Sequence, residues 1–357
     1  FRRQDGKLET LIGDQPPVAA DLVILAIGVA PESDLARRAG LTLGQKGSIA
    51  VDDHMRTSQP DIYAVGDAVE LTHIVTGQKA LVALAGPANR QGRIAADHIC
   101  GLDQSYSGAQ GSSILKLFGM TAAATGLNER SAKAAGVAYD KVVTYSASHA
   151  AYYPGAQNMT VKTLFDPATG RILGAQIVGF DGVDKRIDVM ATAVRAGLTA
   201  QQLTHLDLAY APPYSSAKDP VNMAGYVIEN LRAGLVEQHH WDQVAGLPND
   251  GSVILLDVRT PDEVAQQGLM RPDVIHIPLD SLRQRLGELD PSKKIYVNCV
   301  SGLRSYLACR ILSQRGFRCS NLSGGWRFWS YAARDRVHDA APTHPCGIPI
   351  GEDSHGA

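Results

Sequence analysis

Thr57-Ser-Gln-Pro-Asp-Ile-Tyr-Ala-Val-Gly-Asp-Ala68 is the stretch on which the fold turns. Ile62 to Val65 is a short apolar run, bounded by Pro60-Asp61 before it and Gly66-Asp67 after it. Such a run predicts a buried strand that ends in a close backbone approach. Gly66 has no Cβ, so a ligand can lie against the main chain there. Asp67 then places a carboxylate at the carboxyl end of the strand, where ligands bind in open α/β sheets. A carboxylate accepts short hydrogen bonds from hydroxyls, so a polyol chain suits it. Taken alone, the stretch also reads as a plain strand with a Gly-Asp turn.

Upstream, residues 1–20 read as a β-hairpin, with turn signals at Asp5-Gly6 and Gly13-Asp14. Leu22 to Ile27 is uninterrupted and apolar, as for a parallel strand covered on both faces. Gly28 lets the chain leave that strand. Asp34 to Ala39 reads as a short helix stopped by Gly40, and Gly47 to Asp52 as a strand. Downstream, Gly86-Pro87 opens a helix predicted over Ala88 to Ile99, ending at Gly101. Its start carries unpaired N–H groups and a partial positive charge.

The 57–68 stretch, with Leu22-Val-Ile-Leu-Ala-Ile-Gly-Val-Ala-Pro31, resembles the flavin-contact motif of the two-dinucleotide-binding flavoprotein disulfide reductases. The resemblance implies that Asp67, beside Gly66, holds the ribityl chain of FAD. It implies that the helix start at Ala85 and Pro87 points at the flavin, and that Gly28 lies beside the NAD(P)H site. That family carries a G-x-G-x-x-G fingerprint, and none occurs here. With Phe1-Arg-Arg-Gln-Asp-Gly at the start, the sequence reads as the C-terminal part of a longer protein, in which a flavin-side redox cysteine would lie.

At 357 residues, two or three domains are expected. A net charge of −2 with 20% charged residues gives no nucleic-acid or anionic-membrane footprint. No apolar run approaches the ~20 residues that span a bilayer. Cys100, Cys299, Cys309, Cys319 and Cys346 form no C-x-x-C and no metal spacing, which fits a reducing cytoplasm better than a disulfide framework.

Gln104 to Gly111 is polar and small, a domain boundary. Ser113 to Leu117 begins a new pattern, and short strands follow at Val142–Ser146, Thr160–Phe165 and Ile172–Val178. Asp166-Pro-Ala-Thr-Gly170 turns between the last two. Ile187, Met190, Ala191 and Val194 stand at helical spacing and Gly197 closes that helix. Leu206-Asp-Leu-Ala-Tyr-Ala-Pro-Pro-Tyr-Ser-Ser-Ala-Lys-Asp-Pro-Val-Asn222 has two consecutive prolines between aromatics, a stiff extended connector. This pattern matches the dimerisation domain of the resembled family. With His149-Ala-Ala-Tyr-Tyr-Pro-Gly155, it resembles the coenzyme A-disulfide reductase branch. The resemblance implies that Tyr210 and Tyr152 reach a partner subunit's reactive cysteine in a homodimer, with Tyr153 the rival for Tyr152.

Val253-Ile-Leu-Leu-Asp-Val-Arg-Thr-Pro-Asp-Glu263 is a buried strand followed by a helix start: Thr260 caps, Pro261 takes the first position and Glu263 closes a capping box. Ile295-Tyr-Val-Asn298 is a second strand, running into Cys299-Val-Ser-Gly-Leu-Arg-Ser305 and a helix to Gln314. A strand, a short Gly-containing loop and a helix turn backbone N–H groups inward. Cys299 would sit in that nest, where N–H dipoles and Arg304 favour a nucleophilic thiolate. The run resembles the active-site loop of rhodanese domains, as do Asp-Val-Arg259 and Ser323-Gly-Gly-Trp326. Arg304 follows Cys299 sooner than in the C-x5-R loop of cysteine phosphatases, so the loop suits a sulfane sulfur rather than phosphate. Asp257 and Arg259 read as braces of the loop. Rhodaneses carry Gly-His-Ile before an Asn-Ile-Pro-Leu-like strand. This chain instead has Gly268-Leu-Met-Arg-Pro-Asp-Val-Ile-His276-Ile-Pro-Leu. Cys309 and Cys319 read as structural, and 336–357 as a disordered tail.

The fold expected is therefore α/β and α+β. Residues 1–106 are the remainder of NAD(P)- and FAD-binding domains, 111–233 an α+β dimerisation domain and 235–335 an α/β rhodanese domain. The resemblance implies FAD- and NAD(P)H-dependent reduction of coenzyme A disulfide or thiol persulfides, with Cys299 carrying sulfane sulfur. Two alternatives stand beside it: an NADH oxidase- or peroxidase-like flavoprotein with an accessory rhodanese, and a dimeric sulfur carrier without flavin. No metal, nucleic acid or membrane partner is expected.

Overall fold

The computed structural model describes residues 1–4 and 6–340. Two compact units emerge. One holds Phe1–Thr72 and Lys79–Ser107, and the other holds His73–Gln78 and the described residues from Gly108 on.

In the first unit, β1 (Arg2–Gln4), β2 (Lys7–Thr10) and β3 (Val18–Ala20) form an antiparallel meander. The apolar run from Leu22 to Ile27 is not the expected strand. It is irregular chain, with Ile24 80% and Ile27 90% exposed. A strand of a parallel sheet needs neighbours along both edges and layers over both faces, and no described strand pairs with this run. Ile62 to Val65 departs from expectation for the same reason: its bridge is Arg56↔Tyr63, and Ile62 and Val65 are exposed. Helix α1 (Asp34–Arg38) stands as expected. The strand expected over Gly47 to Asp52 reduces to bridges of Ile49 with Leu43 and Val69. Strands β4 (Glu70–Thr72) and β5 (Lys79–Leu81) pair as a ribbon. Helix α2 (Ala85–Ile99) begins earlier than expected, because Pro87 in its first turn has no N–H to leave unsatisfied.

In the second unit, β6 (Ser113–Leu117), β7 (Met120–Gly126), β8 (Asp140–Ala147), β9 (Asn158–Phe165) and β10 (Ile172–Gly179) form an antiparallel sheet in the order β6-β7-β10-β9-β8. Helix α3 (Glu129–Ala134) links β7 to β8. Helices α4 (Val183–Ala196), α5 (Ala200–Thr204) and α6 (Pro220–Arg232) follow. Ile187, Met190 and Val194 line the buried stripe of α4, as their spacing predicts, and pack with Met159, Phe165, Ile172 and Ile177.

The same unit carries a parallel sheet of β11 (Glu237–His239), β12 (Val253–Asp257), β13 (Ile275–His276), β14 (Lys294–Asn298) and β15 (Cys319–Leu322), ordered β11-β15-β14-β12-β13. Helices α7 (Pro261–Gln267), α8 (Leu303–Ser313) and α9 (Gly325–Ala340) accompany it. Thr260 and Glu263 form the expected capping box on α7. Helix α9 continues past 336, where a tail was expected, and 341–357, with Cys346, lie outside the described residues.

Candidate functional site

Strand β14 delivers Cys299 to the head of helix α8, fully buried. Its Sγ accepts from the Gly302 N–H at 3.2 Å and from the Ser305 hydroxyl at 3.3 Å. Gly302 reaches that position with φ +97°, which a side chain would oppose. The loop is held from behind as well. Trp326 N–H donates to Cys299 O at 2.7 Å, and Arg327 N–H to Val300 O at 3.0 Å. The approach is close enough that a Cβ on Gly325 would lie 2.5 Å from Cys299 O. Ser305 is a site residue that sequence reasoning passed over. Its place in the first turn of the helix that follows the loop was the signal available.

The Arg304 guanidinium is engaged by Glu263 at 2.8 Å rather than by the sulfur. The carboxylate raises the guanidinium's pKa, and Arg304 in turn holds Glu263 below its ordinary range. Asp257 and Arg259 are fully buried as a 2.7 Å ion pair. Arg259 also donates to Gly268 O at 2.6 Å and to Gln267, and lies 5.0 Å over the Trp326 ring. His276 Nε2 meets Arg259 O at 2.8 Å. Arg259 and His276 thus support the segment that departs from the Gly-His-Ile pattern. Cys309 and Cys319 are buried in the core behind the loop.

The tyrosine-bearing segments meet. The Tyr152 and Tyr210 hydroxyls lie 3.1 Å apart, both exposed, and that hydrogen bond raises the Tyr210 phenol's pKa. Tyr153 turns instead onto the His149 ring. The residue that joins the segments is Arg186, unforeseen from the sequence and 1% exposed. It pairs with Asp219 at 3.0 Å and donates to Ser148 O at 2.8 Å and Tyr214 O at 3.3 Å. A buried guanidinium is tolerable because these acceptors replace its water.

In the first unit, Gly66 takes φ +89° and its N–H donates to Gln91 Oε1 at 2.8 Å, tying the loop to α2. Gln91 is buried and was also missed. Asp67 is exposed, as are Ala85 and Gly86 at the start of α2, whose N-cap Leu84 has no side-chain hydrogen bond. Pro87 is buried in that turn, and Gly28 is exposed with φ +87°. A free carboxylate for hydroxyls, and uncapped N–H groups with a positive helix end for an electron-rich ring, fit part of a flavin site. Among the described residues no His, Cys, Asp and Glu group is disposed to hold a metal ion, and no helix is long and apolar enough to cross a membrane.

The profile for the pyridine nucleotide-disulphide oxidoreductase matches residues 1–92, that for its dimerisation domain 113–220, and that for the rhodanese-like domain 240–332. The chain carries pyridine nucleotide-disulphide oxidoreductase domains and a rhodanese-like domain. The chain is similar to the NAD(P)H coenzyme A polysulfide/persulfide reductase of Pyrococcus horikoshii, 34% identical over 62% of this chain and 50% of that protein. It is 38% identical to a coenzyme A disulfide reductase of Staphylococcus aureus, over 58% of this chain and 47% of that protein. Among solved structures, reduced Bacillus anthracis CoADR-RHD matches with a TM-score of 0.86 at 46% identity, covering 90% of this chain and 57% of that one. A NAD-dependent persulfide reductase from A. fulgidus matches at 0.84 and 43%, covering 92% and 59%. The chain spans about half the length of the curated relatives it matches.

Proposed function

We propose that this chain takes part in the NAD(P)H- and FAD-dependent reduction of coenzyme A disulfide or low-molecular-weight thiol persulfides, as a homodimer in the reducing cytoplasm. The work divides between a flavin- and nicotinamide-binding part over 1–106, a dimerisation domain over 111–233 and a sulfur-transferring rhodanese domain over 235–335. The observation that carries the reading is the cradle at Cys299, where a donor from the loop and one from the first turn of α8 converge on Sγ. Such donors stabilise anionic sulfur before and after transfer.

In the transfer step the Cys299 thiolate attacks the outer sulfur of a persulfide. The new S–S bond forms on Cys299, the old one breaks, and the donor leaves as a thiolate. Ser305 and Gly302 hold the charge, and Arg304 adds positive potential from its place beside Glu263. On the reductase side, Asp67 would hold the ribityl hydroxyls, and the turn at Ala85 and Pro87 the ring, of an FAD that moves an electron pair from NAD(P)H to a disulfide. Gly28 would border the nicotinamide. Tyr152 and Tyr210, paired and exposed, suit a thiol or disulfide substrate better than dioxygen, which needs no hydroxyl partners.

Thiosulfate-to-cyanide sulfur transfer by the chain, against its Cys299→Ser variant, tests the rhodanese half. Transfer should vanish in the variant, and transfer surviving there overturns the assignment. FAD titration followed by flavin fluorescence tests the other half. Asp67→Ala should weaken binding, and equal binding would remove Asp67 from the site.

A further inference from the structure

The Cys299 loop does not rest on the rhodanese-like domain alone. Its carbonyls at Cys299 and Val300 are held by the N–H groups of Trp326 and Arg327, in the first turn of α9. That turn leans on β8, an edge strand of the dimerisation-domain sheet. The outward N–H groups of an edge strand need partners from outside the sheet. Val143 N–H finds Ser323 Oγ at 3.1 Å, and Lys141 O accepts from Gln238 at 2.8 Å. The Arg327 guanidinium lies 5.1 Å from the centre of the Tyr145 ring. Burial pushes the Tyr145 phenol up to about 12, so the ring stays neutral under a cation throughout the working range of pH.

A cavity of about 170 Å³ is bordered by Ser301, Gly302 and Leu303 of the loop and helix start, by Tyr145 of β8 and by Tyr226 and Leu231 of α6. Gly302, the donor to Sγ, is also held within its own domain, where Asn321 Nδ2 donates to its carbonyl at 3.2 Å. The contacts from β8 brace the turn whose N–H groups hold the loop from behind.

We propose that Tyr145 and Arg327 are positioning residues for sulfur transfer, with the dimerisation domain bracing the Cys299 loop through the first turn of α9. The proposal rests on the reading of Cys299 as the sulfur-carrying nucleophile. Losing the ring releases the guanidinium, the turn shifts, and Gly302 N–H no longer meets Sγ.

The test uses Tyr145→Leu, Tyr145→Phe, Arg327→Met and Arg327→Lys in the full chain. Thiosulfate-to-cyanide transfer is measured with iodoacetamide alkylation of Cys299 across pH. A cation over a desolvated ring supports an expected fall of about tenfold in kcat for Tyr145→Leu and Arg327→Met, with KM for thiosulfate unchanged. Their alkylation profiles should shift in pH together. Tyr145→Phe keeps the ring and Arg327→Lys the charge, so each should stay within about twofold to threefold of the parent. Wild-type kcat and alkylation in a folded Tyr145→Leu chain overturn the proposal, and so does a Tyr145→Phe loss as deep as that of Tyr145→Leu. Alkylation needs no sulfur transfer. A parent chain that alkylates normally but transfers no sulfur contradicts the proposed function, while the alkylation profiles still decide the brace.

Discussion

Replacing Arg259 by Met removes the cation from a fully buried pair. In the parent, Asp257 receives Nε at 2.9 Å and Nη2 at 2.7 Å. The variant leaves that carboxylate buried, with the Arg259 backbone N–H at 2.9 Å as its remaining donor. Breaking a buried pair from one side costs about 3–5 kcal/mol, since the stranded charge has lost its solvent and its partner. Urea unfolding followed by tryptophan fluorescence reads this directly, because Trp241, Trp326 and Trp329 are the chain's three tryptophans and all lie in the rhodanese-like domain. The midpoint should fall by about 2 M for a domain of this size. Arg259→Met combined with Asp257→Leu removes both charges and should recover most of the loss. A fall below about 1 kcal/mol in the single variant, or a double variant less stable than the single one, refutes the reasoning.

Glu129 supplies a pH dependence on the acid side. Burial alone would raise its pKa, but hydrogen bonds from Lys141 and Lys162 outweigh that and bring it to about 2. The stability is fully present above about 4.5 and lost as pH falls towards 2, about 2–3 kcal/mol in all. Glu129→Gln should flatten unfolding curves over that window, and an unchanged slope counts against the cluster. Burial pushes the His239 pKa down to about 3, so the unfolded chain takes up that proton first, and stability drops as pH falls below 6.5. His239→Phe keeps a ring in edge-to-face contact with Tyr296 and should remove that drop, whereas a drop of the same size would assign it to another group. Arg186→Met strands Asp219 and frees the two tyrosine segments. Dityrosine cross-linking between Tyr152 and Tyr210, read by peptide mass spectrometry, should fall several-fold, and undiminished cross-linking would deny Arg186 that role.

Local signals carried much of this fold. The Thr260, Pro261 and Glu263 cap, the apolar runs of β12 and β14, and the stripe on α4 each depend on neighbours a few residues away, so spacing was enough to read them. Strand β7 was not legible, because Met120-Thr-Ala-Ala-Ala-Thr-Gly126 shows no alternation of large apolar and polar groups. Its small residues answer to close packing instead: a Cβ on Gly126 would lie 2.3 Å from Leu173 O. The runs at 22–27 and 62–65 misled in the opposite direction, since an apolar run becomes a buried strand only when another segment lies beside it. Arg186 and Gln91 escaped notice because each acquires meaning from a partner far along the chain, Asp219 and Gly66 respectively. Cys299 was legible because strand, glycine-containing loop and helix are contiguous. The placement of Arg304 on Glu263 was not, since that pair spans 41 residues.

The central claim is that Cys299 carries sulfane sulfur, and mass spectrometry of the thiosulfate-treated chain tests it most directly. The peptide containing Cys299 should gain the mass of one sulfur atom, and cyanide should remove it. An unmodified Cys299 peptide, or sulfur found on Cys309 or Cys319 in its place, would contradict the account.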